Sequence, residues 1–220
     1  RFLSAYFATQ EGREVVLTGS QRMTERPIKV LVEALQQLGA QISYEKEEGY
    51  PPIRIKGQKI TANKVSIPAN VSSQYISALL LVAPKLENGI ELTLVGEITS
   101  IPYIKMTLAL LNDLNIQTSF EGNVIKVSPK QEVESKVMTV ESDWSSASYF
   151  FSLVALANEA SIVLSSYKET SLQGDSALVE IYAKMGVETS FEENKITLVK
   201  QSNFKLETLN LDLNNTPDIA

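Results

Sequence analysis

One sequence segment occurs three times in this chain, and the repetition limits the possible folds more than any other feature. The copies span residues 13–44, 90–120 and 161–191. Aligning Gly39 with Asn115 and Gly186 gives a period of roughly 70 to 77 residues. Solenoid repeats have shorter periods, of about 20 to 50 residues. The chain is therefore expected to be built from repeated supersecondary modules.

Each copy predicts a strand, a loop, a helix and a second strand. In the first copy, a β-branched strand at 15–17 precedes a loop, and Pro27 suits the first turn of a helix. Apolar residues then recur at helical spacing until Gly39, which suits the position after a helix end. The later copies repeat this order, with strands at 90–95 and 162–164.

A second block precedes the later copies and predicts a strand, a serine pair and another helix. Residues 65–84 match residues 138–157, with Ser72-Ser73 aligned to Ser145-Ser146. The helices at 76–83 and 149–157 are apolar almost all round, which predicts burial on every side. The complete module reads βαβαβ(β), which predicts an α/β fold with right-handed crossovers between parallel strands.

Both ends of the chain match only parts of this module. Residues 1–8 match the buried-helix block without its strand, and the last residues match the start of a new module. The sequence is therefore expected to be a fragment of a longer protein.

Two amino-acid types are missing, and their absence narrows the chemistry. Without cysteine the chain has no disulfide, thiolate nucleophile or sulfur-based zinc site. Without histidine, acid–base catalysis falls to carboxylates, lysine or tyrosine. The net charge of -6 disfavours nucleic acid as a partner. No apolar stretch approaches the roughly 18 residues of a membrane span, so no membrane is expected either.

The serine pair Ser72-Ser73, followed by Gln74, is a candidate anion site. Free N–H groups and the positive end of the helix dipole favour phosphate or carboxylate there. The alternative is an ordinary helix cap. The third copy has Asp143 before its serines and Ala147 in place of Gln74, a pattern that suits capping better than phosphate binding.

Arg22 and Arg26 lie in the loop just before a predicted helix. Cations oppose the helix dipole at that end, so helix formation does not explain them, whereas arginine suits bidentate binding of phosphate or carboxylate. Local pairing with Glu25 is the structural alternative.

Two further segments offer candidate ligands at helix starts. The loop from Thr99 to Tyr103 supplies a hydroxyl and an aromatic face for a ring-shaped ligand, or is only a turn before Pro102. Asp218 is either a first-turn aspartate or a general base.

Six motifs together resemble the enolpyruvylshikimate-phosphate synthases, a family of shikimate-pathway enolpyruvyl transferases. The motifs, in chain order, are LTGSQRMTERPI, VSSQYISALL, ITSIPY, SDWSSASYF, LQGD and NNTPDIA. The resemblance runs along essentially the whole chain but lacks the family's two terminal parts. It implies an α/β fold with helices packed inside sheets and two incomplete lobes, 1–140 and 141–220. It also implies a cytoplasmic protein, monomeric at full length, with no cofactor or metal.

The implied reaction transfers the enolpyruvyl group of phosphoenolpyruvate to the 5-hydroxyl of shikimate 3-phosphate. By resemblance, Ser72, Ser73 and Ser100 hold the phosphate of shikimate 3-phosphate. Gln74 lies between the two substrates, and Tyr103 lies beside the shikimate ring.

The remaining residues that the resemblance assigns act mainly on phosphoenolpyruvate and on the proton. Arg26 and Arg1 match arginines of the phosphoenolpyruvate site, with Gln74 beside them. Asp218 matches the carboxylate that contacts the shikimate hydroxyls and takes the proton. Family residues beyond both ends of this chain are missing, so the fragment alone is expected to be inactive.

Two other functions remain open at this point. The related transferase that acts on UDP-N-acetylglucosamine shares the fold but typically uses a cysteine, which this chain lacks. A non-catalytic module that binds an anionic metabolite is the second alternative.

Overall fold

A computed structural model describes residues 1–98, 101–205, 208–211, 213, 216 and 219 of the chain. The chain divides into two compact units, Arg1–Ser135 (unit 1) and Lys136–Ala220 (unit 2). Ser100 and Asp218, two of the predicted site residues, lie outside the described residues.

Unit 1 contains two successive modules. Its elements are α1 (Phe2–Ala8), β1 (Glu14–Leu17), α2 (Gln21–Thr24), α3 (Lys29–Gln37), β2 (Gln41–Tyr44), β3 (Ile53–Lys56), β4 (Lys64–Pro68), α4 (Ser73–Val82), β5 (Ile90–Val95), α5 (Ile101–Asp113), β6 (Thr118–Glu121) and β7 (Val124–Val127). A short 3₁₀ turn, Ala83–Lys85, follows α4.

Unit 2 repeats the same order with fewer elements. They are α6 (Trp144–Leu156), β8 (Ser161–Ser165), a 3₁₀ turn at Gly174–Ala177, α7 (Leu178–Ala183), β9 (Val187–Glu192) and β10 (Lys195–Lys200).

The sheets confirm the threefold repeat. In each described copy the third strand lies between the first and the second, giving the orders β1-β3-β2, β5-β7-β6 and β8-β10-β9, all paired antiparallel. The middle sheet contains a fourth strand, β4, which pairs parallel to β5 from Lys64 to Pro68. The α4 crossover between these two strands is the βαβ unit that the sequence predicts.

The three residues used to align the copies share one backbone conformation. Gly39, Asn115 and Gly186 have φ angles of 101°, 56° and 80°. Glycine adopts positive φ at little cost, and asparagine is among the few other residues that tolerate it. The alignment therefore matches the three positions at which the helix ends and the chain turns back toward its sheet.

The apolar helix α4 is buried as predicted. Residues 75–80 are all buried, and α4 packs against α1, α3 and α5. Leu81 is an exception, with 47% of its surface exposed. A helix with apolar residues on all sides is stable here because other helices cover most of its surface.

The prediction of all-round burial is wrong for α6. Only Trp144, Ala147, Phe151 and Val154 are buried along this helix, whereas Tyr149 is 75% and Leu156 85% exposed. Within unit 2, α6 packs on α7 and on one face of the sheet. No second layer of helices covers its other side among the described residues of this unit.

Three smaller predictions also need correction. Residues 138–141, which align with β4, form no strand. One hydrogen bond of the equivalent region is kept: Ser142 N–H donates to Ser166 O, as Ala69 N–H donates to Val95 O after β4. Pro27 precedes α3 instead of lying in its first turn. The predicted loop before α3 contains a single helical turn, α2.

Among the described residues, no helix is long and apolar enough to cross a membrane.

Candidate functional site

The amino end of α4 follows the carboxyl end of the parallel strand β4. Ligands of α/β proteins bind preferentially at this end of parallel strands. Ser72 occupies the N-cap position and Ser73 opens the helix, but the Ser72 side chain makes no capping hydrogen bond. Ser72 and Gln74 are exposed and Ser73 is half-buried. The hydroxyl of Ser72 is therefore available to groups outside its own helix.

Arg1 joins Ser72 to Gln74. Its Nη1 donates to Gln74 Oε1 at 2.7 Å and to Ser72 Oγ at 3.3 Å. Its guanidinium also lies 4.9 Å from the centre of the Tyr75 ring. These oxygen acceptors are uncharged, so they orient the guanidinium without neutralising it. An anion bound beside Ser72 and Gln74 would therefore be attracted by the positive charge of Arg1.

Arg26 lines the same cavity as Arg1. This cavity has a volume of about 190 Å³ and no carboxylate among its lining residues. Those residues are Arg1, Leu3, Ser4, Leu17, Thr18, Met23, Arg26, Pro27, Ile28, Pro51 and Ile53. Two cations and an apolar wall favour a small anion with an apolar portion.

The local alternative for the arginine loop is not observed. Glu25 Oε1 accepts from Gln21 Nε2 at 3.1 Å, and neither Arg22 nor Arg26 forms an ion pair in the described part of the chain. Arg22 does not line the cavity. Arg26 therefore lines the cavity and Arg22 does not, in line with the resemblance, which assigns a role to Arg26 alone of the two.

Tyr75 connects the amino end of α4 to the arginine loop. Its hydroxyl donates to the carbonyl oxygen of Pro27 at 2.5 Å, and its side chain is buried. The Arg1 guanidinium lies over its ring. Sequence reasoning missed this residue because its position in an apolar helix indicates only a core role.

Tyr103 lies in the first turn of α5 and is half-buried. Its carbonyl oxygen accepts from Thr107 Oγ1 at 3.0 Å, and Thr107 Oγ1 is also 2.7 Å from Ser77 Oγ of α4. This buried polar contact fixes α5 against α4. Tyr103 therefore lies one helical turn before the residue that holds α5 against α4, the helix that carries the serine pair.

The equivalent position in unit 2 is a helix cap, as its sequence predicts. Asp143 Oδ1 accepts from the backbone N–H of Ser145 at 3.0 Å, and its Oδ2 accepts from Ser146 Oγ at 2.8 Å. Ser145 Oγ donates to Asp175, a residue that is only 1% exposed. Both serines are thus engaged by carboxylates, which disfavour an anion there.

The described residues contain no group of three or more carboxylates, histidines or cysteines able to hold a metal ion.

The family model for EPSP synthase (3-phosphoshikimate 1-carboxyvinyltransferase) matches residues 1–220. A 3-phosphoshikimate 1-carboxyvinyltransferase from Bacteroides fragilis (strain YCH46) is 43% identical over 220 residues, covering 100% of this chain and 53% of the relative. One from Haemophilus influenzae (strain Rd) is 38% identical over 215 residues, covering 94% and 47%. The chain spans about half the length of the curated relatives it matches.

Solved structures agree at the level of the fold. An EPSP synthase from Acinetobacter baumannii matches with a TM-score of 0.76 at 23% identity, covering 99% of this chain and 49% of that chain. The enolpyruvyl transferase NikO from Streptomyces tendae matches with a TM-score of 0.59 at 13% identity, covering 88% and 45%.

Proposed function

Because the chain belongs to the EPSP synthase family, we propose that it carries part of a site for enolpyruvyl transfer from phosphoenolpyruvate to shikimate 3-phosphate. The 5-hydroxyl oxygen adds to C2 of phosphoenolpyruvate and the neighbouring carbon takes up a proton. Loss of phosphate and a proton from this tetrahedral intermediate restores the double bond. The protein acts as a cytoplasmic monomer without a cofactor.

The site residues divide between the two substrates. Ser72, Ser73 and Ser100 bind the phosphate of shikimate 3-phosphate, and Tyr103 lies beside the shikimate ring. Arg1 and Arg26 bind phosphoenolpyruvate. Gln74 lies between the two substrates, and Asp218 takes the proton from the hydroxyl.

One observation carries this proposal. Arg1 donates to Ser72 and Gln74 and lines one cavity with Arg26. The proposed phosphate site and the proposed phosphoenolpyruvate site are therefore adjacent, as a reaction between two bound anions requires. Uncompensated arginines and a helix end also stabilise the negative charge of the transition state.

Titration calorimetry on the chain tests substrate choice. We expect shikimate 3-phosphate to bind and UDP-N-acetylglucosamine not to bind. The double variant Ser72→Ala, Ser73→Ala should weaken binding by a factor of about 10 or more, because hydrogen bonds to a charged group are lost. The control is Ser43→Ala, Ser66→Ala, which removes two exposed strand hydroxyls of the same unit. Binding of the UDP-sugar, or equal affinity of both double variants, would contradict the proposal.

The alternative of a non-catalytic binding module is tested by product formation. We expect the chain alone to release no phosphate from the two substrates, and the protein expressed from the whole reading frame to release it. A full-length protein that binds shikimate 3-phosphate without releasing phosphate would favour the binding module.

A further inference from the structure

The two halves of the Tyr75 side chain contact different parts of the arginine-lined cavity. Its hydroxyl donates to the carbonyl oxygen of Pro27, the residue directly after Arg26, at 2.5 Å. Its ring lies under the guanidinium of Arg1, 4.9 Å from centroid to Cζ. One buried side chain therefore contacts both an arginine and the backbone beside the other arginine.

Each contact restricts the position of one cation. An arginine over an aromatic face is attracted by the partial negative charge on the face of the neutral ring, which favours one orientation of a flexible side chain. The hydrogen bond to Pro27 fixes the backbone that leads out of the arginine loop. The Arg26 side chain is exposed and forms no ion pair in the described part of the chain, so the hydrogen bond at Pro27 restrains the backbone next to an otherwise unpaired cation.

The other copies of the module do not need a tyrosine here. Aligning Ser4-Ala5 with Ser77-Ala78 places Phe2 opposite Tyr75, and aligning the serine pairs places Ser148 there. Phe2 is 46% exposed, and Ser148 Oγ donates within its own helix to Ser145 O at 2.6 Å. Among these three aligned positions, only the one in α4 has a tyrosine hydroxyl that reaches the arginine loop.

We propose that Tyr75 is a positioning residue that holds Arg1 and Arg26 in the geometry needed to bind phosphoenolpyruvate. The inference rests on the proposed function. Tyr75 itself contacts no substrate; it acts through the two arginines. Its substitution should therefore affect phosphoenolpyruvate more than shikimate 3-phosphate.

Steady-state kinetics of the protein expressed from its whole reading frame tests this inference. Tyr75→Phe keeps the ring and loses the hydrogen bond, so the KM for phosphoenolpyruvate should rise about fivefold, as expected for one hydrogen bond. The KM for shikimate 3-phosphate should not change. Tyr75→Leu also removes the ring beneath Arg1, and its KM for phosphoenolpyruvate should rise about 20-fold.

Tyr44→Phe is the matched control. Tyr44 is a tyrosine of the same unit whose buried hydroxyl has no hydrogen-bond partner among the described residues. Its removal should leave both KM values unchanged. If Tyr75→Leu fails to fold, Tyr75→Phe decides the question alone.

Equal KM changes for the two substrates in Tyr75→Phe, or no change in either, would overturn the positioning role. Arg26→Ala separates this failure from that of the proposed function. If Arg26→Ala raises the KM for phosphoenolpyruvate and Tyr75→Phe does not, only the inference about Tyr75 fails. If Arg26→Ala has no effect, or the wild-type protein is inactive, the proposed function fails and the inference with it.

Discussion

The arginines of unit 1 differ in whether a carboxylate lies next to the guanidinium group. Arg54 of β3 lies between two carboxylates, 2.6 Å from Glu14 of β1 and 2.7 Å from Glu45, the residue directly after β2. Arg1 instead contacts uncharged oxygens, and Arg26 lines a cavity without carboxylates. A neutralised arginine stabilises the sheet, whereas an uncompensated arginine at a cavity is available for an anion.

The Arg54 cluster makes the stability of unit 1 depend on pH. The hydrogen bond from Arg54 lowers the pKa of Glu45 below its usual 4.5, and Arg54 has a raised pKa. A carboxyl with a lowered folded-state pKa contributes stability above its unfolded pKa and loses that contribution as the pH falls through the folded value. We expect the free energy of unfolding to decrease below pH 4.5.

Acid titration of urea unfolding, followed by circular dichroism, measures this effect. Glu45→Gln should show a smaller loss of stability between neutral and acidic pH than the wild type. Glu47→Gln is the matched control, because Glu47 forms no ion pair in the described part of the chain. Identical acid dependence of Glu45→Gln and the wild type would contradict this role of Glu45.

The helix ends of the first and third copies differ in the space around their glycines. Gly39 and Gly186 both have positive φ. A Cβ at Gly39 would meet nothing closer than Gln58 Nε2 at 4.0 Å, whereas a Cβ at Gly186 would overlap the Phe204 ring. Gly39→Ala should therefore cost about 1–2 kcal/mol from the backbone alone. Gly186→Ala should cost more, because the ring must also move.

Urea unfolding followed by two probes measures these costs. Trp144 is the single tryptophan and is fully buried in unit 2, so its fluorescence reports on Gly186→Ala. Circular dichroism reports on Gly39→Ala. Gly39→Asn is the control and should cost less than Gly39→Ala, because Asn115 adopts the same turn. A smaller cost at Gly186 than at Gly39 would contradict the steric argument.

Local patterns predicted most elements, whereas the error in helix burial has a non-local cause. Strand β5 and the turn at Gly39 follow from alternation, propensity and backbone freedom within a few residues. Burial of α4 or α6 depends on which helices cover them, and the sequences of the two helices are similarly apolar. Residues 138–141 have a strand-like pattern but form no strand, although β8 lies at the edge of its sheet with one side unpaired among the described residues.

The threefold repeat explains both the strand order of the sheets and the position of the candidate site. The strand order is the same in all three described copies, and one copy gains the parallel strand that leads into α4. The sequence identified the serine pair and the arginines as candidates. It could not predict that Arg1 contacts Ser72, because 71 residues separate them. The crossing between lobes near Val140-Glu141 stays a prediction.

Phosphate release by the protein expressed from its whole reading frame tests the proposed transfer reaction. We expect release from phosphoenolpyruvate only when shikimate 3-phosphate is present. Ser72→Ala, Ser73→Ala should raise the KM for shikimate 3-phosphate by a factor of about 10 or more, and Ser43→Ala, Ser66→Ala should not. Release that needs no shikimate 3-phosphate, or an unchanged KM for shikimate 3-phosphate in Ser72→Ala, Ser73→Ala, would contradict the proposed function.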